Sequence, residues 1–236
     1  LTNVLMISFW AEIYGVNHLG SIKALTGSLM VFSTALATAV FGSLIDLGYS
    51  IEKIAGIKMC ENYYRQYGCN FVSAMPTNLY GPGDNFDLNN SHVIPALLRK
   101  FHEAKTNNSP SVEVWGTGTP KREFLYVDDL ADACILLLKN LEASELEKNG
   151  ITHINVGSGI DQTIQELADT IRDVVGFEGQ VIFDKTKPNG TPEKLLDITV
   201  LSNMGWIPTK SLKDGLEKTY IWVKEQAEMN QSWALS

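Results

Sequence analysis

The feature that most constrains this chain is a run of 22 residues without a charged side chain, from Ala24 to Ile45. An α-helix rises about 1.5 Å per residue, so a run of this length can cross a bilayer. Small residues within it, such as Gly27, Ala35 and Gly42, would allow close helix packing in lipid. The run predicts either a membrane span or a buried helix of a soluble α/β protein, and its Ser and Thr residues keep the second alternative open.

The net charge and the cysteine content argue against several classes of binding site. The formal net charge is −8 and the pI is about 5.0, which argues against a general nucleic-acid or anionic-membrane surface. An anionic ligand would therefore need a local basic patch. The three cysteines, Cys60, Cys69 and Cys134, have no metal-like spacing, so we expect reduced thiols, a cytoplasmic location and no metal site.

Beyond residue 48 the pattern changes to alternating strands and helices, which favours an α/β layer architecture. Asp128 and Asp129 precede the helix predicted at 130–141, and we attribute them to its N-cap rather than to catalysis. The helices are expected at about 51–67, 94–105 and 130–141, after Thr163 and after Ser211. The strands are expected at 71–75, 112–115, 123–127, 153–156 and 181–184, with a turn-rich loop from 76 to 92.

Tyr49 and Lys53 stand four residues apart at the start of the first predicted helix. Side chains at this spacing share one helix face, and a nearby ammonium lowers the pKa of a phenol. Such a pair can shuttle a proton near neutral pH. The pattern alone is weak, because a solvated helix face would carry the same two residue types.

Other residues acquire interest from their chemistry. His92 could serve as a general acid near neutral pH, although a lone His beside a helix start is ordinarily a polar cap or a loop residue. Arg122 offers a planar fork suited to phosphate. The segment Pro76–Leu79 follows a predicted strand, where α/β sheets bind ligands, yet its Pro and Asn would also suit a plain turn.

From about residue 49 to 236, a set of sequence segments resembles the GDP-L-fucose synthases, a family of extended short-chain dehydrogenases/reductases. The segments are YSIEKIAGIKMCENYYRQYG, PTNLYGPGDNFDLNNSHVIPALLRKFHEAK, VEVWGTGTPKREFLYVDDLADA, HINVGSG and KPNGTPEKLLD. The resemblance implies the C-terminal part of an extended Rossmann-type reductase, with a partial parallel sheet and a smaller substrate domain. It also implies NADPH-dependent 3,5-epimerisation and 4-reduction of GDP-4-keto-6-deoxy-D-mannose to GDP-L-fucose.

The same resemblance assigns expected roles on the cofactor side. Tyr49 would be the catalytic proton donor of the reduction, and Lys53 would hold the nicotinamide ribose. His92 would be the catalytic acid of the epimerisations and would also contact NADP. The remaining cofactor contacts would come from Pro76, Thr77, Asn78 and Leu79.

On the substrate side, the resemblance implies contacts from five residues to the GDP-sugar. These are Asn78, Lys100, Trp115, Arg122 and Lys194. Trp115 could instead be ordinary core, and Lys194 could form only a surface ion pair with Glu193.

Other family features are absent from the sequence. No G-x-G-x-x-G-like loop occurs, and none of the cysteines occupies the position of the family's base, which precedes the Tyr. Residues 1–48 instead resemble a loop and one helix of a major facilitator superfamily transporter, through EIYG, HLGSI and GSLID. We therefore expect a chimeric or truncated product whose domains are 1–48 and 49–236, with weak or lost NADP binding and no turnover.

Four alternatives remain from the sequence. The chain could be a non-catalytic GDP-sugar-binding protein, a membrane-tethered chimera held through residues 24–45, another NAD-dependent sugar-nucleotide epimerase or dehydratase, or an assembly or splicing artefact with no native role. A GDP-sugar is the small-molecule partner that the resemblance implies. A homodimer is also expected from the resemblance, because the family commonly pairs through helices around the Tyr-Lys segment.

Overall fold

The structure, a computed structural model, describes residues 51–228. The chain divides into two compact units, Leu1–Met59 and Cys60–Ser236, and the first helix crosses that division. The strands and all later helices of the described range belong to the second unit. Within residues 51–228, no helix combines the length and apolar character needed to cross a membrane. The predicted span at 24–45 lies outside these residues.

Helices and strands alternate along the described range. The helices are α1 (Ile51–Tyr67), α2 (Val93–Thr106), α3 (Val127–Asn140), α4 (Ala143–Lys148), α5 (Ile164–Val175), α6 (Thr199–Asn203) and α7 (Leu212–Glu228). The strands are β1 (Ala74–Pro76), β2 (Asn78–Tyr80), β3 (Ser111–Trp115), β4 (Lys121–Tyr126), β5 (Ile154–Val156), β6 (Asp161–Thr163), β7 (Gln180–Asp184) and β8 (Glu193–Lys194). The α/β alternation predicted from the sequence is confirmed for these residues.

Strand β4 has the most neighbours of the described strands. Its second half pairs in parallel with β2, from Asn78 opposite Phe124 to Tyr80 opposite Tyr126. Its first half pairs antiparallel with β6 and parallel with β8. The other pairings are parallel and join β1 to β5 and β3 to β7.

Two predictions about the strands were wrong in detail. The strand predicted at 71–75 begins only at Ala74 and includes Pro76, which is tolerated because β1 has a neighbour on one side only within the described range. Residues 78–80 were assigned to a loop, yet they form β2. The parallel pairing with β4 satisfies their backbone groups, and this tertiary pairing outweighs the local preference of Pro and Asn for turns.

The apolar residues form two clusters on the two sides of β4. The first packs α2, α5 and α7 around Leu98, Phe101, Leu167 and Leu216, none of which is measurably exposed. It includes Phe124 of β4. The second cluster contains the next residue of that strand, Leu125, with α3, β5 and α6. Successive side chains of a strand point to opposite faces, so one strand contributes to both cores.

Helix α5 shows how the local sequence sets the ends of an element. Thr163 accepts a hydrogen bond from the backbone N–H of Glu166, and the Glu166 carboxylate accepts one from the backbone N–H of Thr163 in return. This reciprocal capping box satisfies two N–H groups at the start of the helix. Gly176 ends the helix with φ of 70°, a left-handed conformation that glycine adopts without steric cost.

The prediction that Asp128 and Asp129 form the N-cap of a helix was wrong. Tyr126 occupies the N-cap position of α3, and Asp129 is 1% exposed inside the first turn. Its carboxylate accepts hydrogen bonds from the backbone N–H of Thr209 at 3.0 Å, the Thr209 hydroxyl at 2.7 Å and the N–H of Lys210 at 3.1 Å. Asp129 therefore ties α3 to the segment that leads into α7.

Glu123 on β4 is a second buried carboxylate, with no exposed surface. Its Oε1 accepts a hydrogen bond from the N–H of Gly159 at 2.7 Å, and its Oε2 accepts one from the N–H of Leu196 at 3.1 Å. Gly157 packs against this carboxylate so closely that a Cβ there would collide with it. A buried charge is tolerated only when it is hydrogen-bonded in this way.

We expect Glu123→Gln to lower the free energy of unfolding by about 2–3 kcal/mol, because the amide NH₂ must face one of two N–H donors. Urea unfolding of the two proteins measures this difference. Glu113→Gln is the matched control, since Glu113 is exposed on β3. It should change the stability by no more than about 0.5 kcal/mol. Equal effects of the two substitutions would contradict the structural role of Glu123.

Candidate functional site

A cleft of about 710 Å³ lies in the second unit, beside the start of α2 and the strands β2, β3 and β4. Six of the residues predicted from the sequence line it: Asn78, Leu79, His92, Lys100, Trp115 and Arg122. These residues span 45 positions of the chain, from 78 to 122, and come from four different elements. The fold therefore gathers most of the predicted site into one place.

The β2 side of the cleft is fixed by the backbone of β4. The Thr77 hydroxyl and the Asn78 side-chain amide both donate hydrogen bonds to the carbonyl of Glu123, at 3.2 and 2.9 Å. Thr77 is buried and Asn78 is half-buried at the cleft. With its NH₂ engaged, Asn78 retains its carbonyl oxygen for a ligand. Pro76 is exposed on β1 and does not line the cleft.

His92 occupies the N-cap position of α2 with an extended backbone, at φ −69° and ψ 170°. Its side chain makes no capping hydrogen bond, so His92 is not a side-chain cap of this helix. The imidazole is exposed and lines the cleft. The neighbouring Ser91 also lines the cleft, and its buried Oγ has no hydrogen-bond partner among residues 51–228.

The other wall of the cleft is basic and aromatic. Trp115 at the end of β3 is 59% exposed, so the alternative that it is core is wrong. The Nζ of Lys100 lies 5.4 Å from the centroid of the Trp115 ring and donates a hydrogen bond to the Glu113 carbonyl at 3.1 Å. Arg122 is half-buried on β4 and donates to the carbonyl of Lys121 at 2.7 Å. A cation over an indole face is favourable by about 0.5–1 kcal/mol at exposed sites.

Besides Pro76 and Thr77, the predicted site residues that are not among those lining the cleft are Lys194, Lys53 and Tyr49. Lys194 is exposed on β8 opposite Arg122 in register, and it does not line the cleft. Lys53 is exposed on α1 in the first unit. Tyr49 lies outside the residues that the structure describes.

The sequence analysis missed Asn189, which also lines the cleft. Its Oδ1 accepts hydrogen bonds from the backbone N–H and the hydroxyl of Thr117, at 2.8 and 3.0 Å. The two residues follow β3 and β7, which pair in parallel, so their loops emerge at the same edge. Asn189 belongs to the segment KPNGTPEKLLD, but only Lys194 of that segment was predicted as a site residue.

Burial and hydrogen bonds shift several pKa values around the cleft. Burial, with Asp129 nearby, raises the pKa of the Tyr80 phenol well above its usual range, so Tyr80 stays neutral. Tyr80 is a core residue, and its neutral hydroxyl donates a hydrogen bond to the Leu212 carbonyl at 3.2 Å. Two hydrogen bonds from Thr186 lower the pKa of Asp184 at the end of β7. No group of three or more potential metal ligands occurs among residues 51–228.

Sequence comparison gives this geometry a family context. Residues 46–157 match the model described as the NAD dependent epimerase/dehydratase family. This match covers a little less than half of the chain. The matched range begins three residues before Tyr49 and includes all six of the predicted residues that line the cleft.

Curated relatives agree with the family match. The chain is 57% identical over 182 residues to the GDP-L-fucose synthase of Escherichia coli (strain K12), covering 76% of this chain and 57% of that protein. It is 55% identical over 177 residues to the putative GDP-L-fucose synthase 2 of Arabidopsis thaliana, covering 75% of this chain and 52% of that protein. The chain thus spans about half the length of these curated relatives.

Solved structures share the fold. A GDP-6-OMe-4-keto-L-xylo-heptose reductase from C. jejuni superposes with a TM-score of 0.68 at 39% identity, covering 73% of this chain and 59% of that one. A GDP-L-fucose synthetase from Naegleria fowleri bound to NADP gives a TM-score of 0.63 at 27% identity, covering 75% and 54%. The α/β, Rossmann-like class predicted from the sequence is confirmed at this level.

We expect Asn189→Ala to speed hydrogen exchange of the Thr117 amide by roughly three- to tenfold, because the substitution removes the acceptor of that N–H. Native-state exchange followed by NMR measures the rate. The amide of Gly116 donates to the Asp184 carbonyl at 2.9 Å and provides an internal control that should not change. Unchanged exchange at Thr117 would show that Asn189 does not hold this loop.

Proposed function

We propose that this chain is the sugar-nucleotide-binding portion of an epimerase/reductase of the GDP-L-fucose synthase type. The observation that carries the proposal is the cleft, which collects Asn78, His92, Lys100, Trp115 and Arg122 from separate elements. The sequence resemblance implies GDP-sugar contacts for all of these residues except His92, for which it implies the role of catalytic acid in the epimerisations. The identity to curated GDP-L-fucose synthases supports the same substrate class.

The chemistry of the basic wall suits a nucleoside diphosphate. Arg122 provides a planar fork for two phosphate oxygens, whereas Lys100 acts as a point charge. Trp115 offers an exposed aromatic face next to these cations. Because the whole chain carries a net charge of −8, these cations provide the local positive charge that an anionic ligand requires.

His92 is proposed as the acid of the epimerisations. A ketone at C4 of the sugar makes the protons at C3 and C5 acidic, so each inversion needs a base to remove a proton and an acid to return one. The exposed imidazole of His92 at the cleft is suited to return the proton. None of Cys60, Cys69 and Cys134 lines the cleft, and no residue among 51–228 is assigned the role of the base.

NADPH would supply hydride to C4. Of the residues proposed to contact it, Asn78, Leu79 and His92 line the cleft, and their mixture of amide, apolar and imidazole groups suits a nicotinamide end. The hydroxyl of Thr77, the residue before β2, donates a hydrogen bond to the backbone carbonyl of Glu123 and so helps to hold this strand in place. Tyr49 is proposed to donate the proton to the C4 oxygen, with Lys53 holding the ribose. Because the sequence has no glycine-rich dinucleotide loop, we propose that this chain binds NADPH weakly or not at all.

The N-terminal predictions remain proposals, since residues 1–50 lie outside the described part of the chain. They are a major facilitator-like origin for residues 1–48 and membrane contact through residues 24–45. A homodimer and a cytoplasmic location are also proposed. Fractionation of cells that express the chain would separate the membrane and cytoplasmic alternatives, and sedimentation would measure the oligomeric state.

We expect Arg122→Lys to weaken binding of GDP-L-fucose by about tenfold, since a lysine keeps the charge but loses the bidentate fork. Isothermal titration calorimetry on the full chain measures the dissociation constant. Arg172→Lys is the control, because Arg172 lies on α5 and does not line the cleft. Absence of binding to the unsubstituted chain would refute the proposed function.

A second assay addresses catalysis. With GDP-4-keto-6-deoxy-D-mannose and NADPH, we expect the purified chain to show no measurable NADPH consumption, because the dinucleotide loop and the base are not in its sequence. Loss of NADPH absorbance and chromatography of the sugar nucleotide measure the reaction. Robust formation of GDP-L-fucose would contradict the proposal of weak cofactor binding.

A further inference from the structure

Lys187 lies next to the cleft but has no role in the function proposed above. Its backbone N–H donates a hydrogen bond to the Asp184 carbonyl at 3.2 Å, which closes a turn directly after β7. The Asp184 carboxylate accepts hydrogen bonds from the N–H and the hydroxyl of Thr186, at 2.9 and 2.6 Å, and these bonds fix the same turn. Asp184 pairs in register with Trp115. The turn therefore places Lys187 beside the indole that lines the cleft.

The segment after Lys187 is attached to the cleft at two further points. Asn189 accepts the two hydrogen bonds from Thr117. Gly190 lies beside Arg122, since a Cβ at Gly190 would stand 3.2 Å from a guanidinium nitrogen. Residues 187–190 thus run from Trp115 to Arg122, which are the aromatic and basic groups proposed to bind the nucleotide.

Two ammonium groups lie over the same indole. The Nζ of Lys187 is 5.3 Å from the Trp115 ring centroid, and the Nζ of Lys100 is 5.4 Å from it. The ion pairs formed among residues 51–228 include none that involves Lys100, Arg122 or Lys187. Two positive charges beside one ring raise the local positive potential there, which favours an anionic ligand.

We propose that Lys187 is a further binding residue of the cleft and contacts the diphosphate of the sugar nucleotide. This inference rests on the proposed function. The diphosphate is the strongly anionic part of such a ligand. Lys100 on α2 and Lys187 after β7 both lie over the Trp115 ring, and Arg122 on β4 lines the same cleft as Trp115. The ammonium of Lys187 would swing from the indole to a phosphate oxygen, which its flexible stem allows.

Titration of the full chain with GDP-L-fucose and with guanosine tests this role. Lys187→Gln should weaken GDP-L-fucose binding about three- to tenfold and leave guanosine binding within about twofold, because guanosine has no phosphate. The loss should shrink as salt is raised, since salt screens exposed charges. Lys185→Gln is the matched control, because Lys185 is an exposed lysine on the same turn and, unlike Lys100 and Lys187, is not one of the lysines that lie over the Trp115 ring among residues 51–228. It should bind both ligands like the unsubstituted chain.

The outcomes separate this inference from the proposed function. If the unsubstituted chain binds GDP-L-fucose and the two lysine variants bind it equally well, the role of Lys187 is refuted and the proposed function stands. If Lys187→Gln weakens guanosine as much as GDP-L-fucose, Lys187 acts only through the indole and the diphosphate contact is refuted. If the unsubstituted chain binds neither ligand, both proposals are refuted.

Discussion

The structure around the cleft depends on the buried carboxylate of Glu123. Its two oxygens accept hydrogen bonds from backbone N–H groups 36 and 73 residues away, at Gly159 and Leu196. The backbone carbonyl of Glu123 accepts hydrogen bonds from the side chains of Thr77 and Asn78, which come earlier in the chain. A single residue thus joins β2, β4 and two later loops. Because the charge is desolvated, each of these partners must stay in place for the fold to remain stable.

The position of the cleft follows from the alternation of side chains along β4. Arg122 and Phe124 line the cleft, while Glu123 and Leu125 are buried on the opposite face of the strand. The parallel pairing of β2 with this strand brings Asn78 beside the same cleft. The helix α2 adds His92 at its start and Lys100 two turns later. The ligand-facing groups are therefore carried by regular elements, which hold them more rigidly than loops would.

The sequence predicted elements with strong periodicity and missed those that depend on distant partners. Helix α2 and strand β3 were found within one residue, because their apolar spacing alone decides their type. Strand β2 was missed because its three residues are stabilised by β4, more than 40 positions later in the chain. Likewise, Asp129 was taken for a cap because nothing nearby in the sequence indicates its bonds to Thr209 and Lys210. Among site residues, those in local motifs were predicted, whereas Asn189 and Lys187 required the pairing of β3 with β7.

Strand β4 forms a wall shared by the two hydrophobic clusters, since Phe124 belongs to one and Leu125 to the other. Loosening either cluster removes packing from the strand that supports its neighbour, so the two halves of this unit should melt together as one cooperative body. The same geometry makes the strand intolerant of a single-residue insertion or deletion. A shift by one position would turn Arg122 into the interior and Glu123 into the cleft, which exchanges a cation for an anion where a phosphate is proposed to bind.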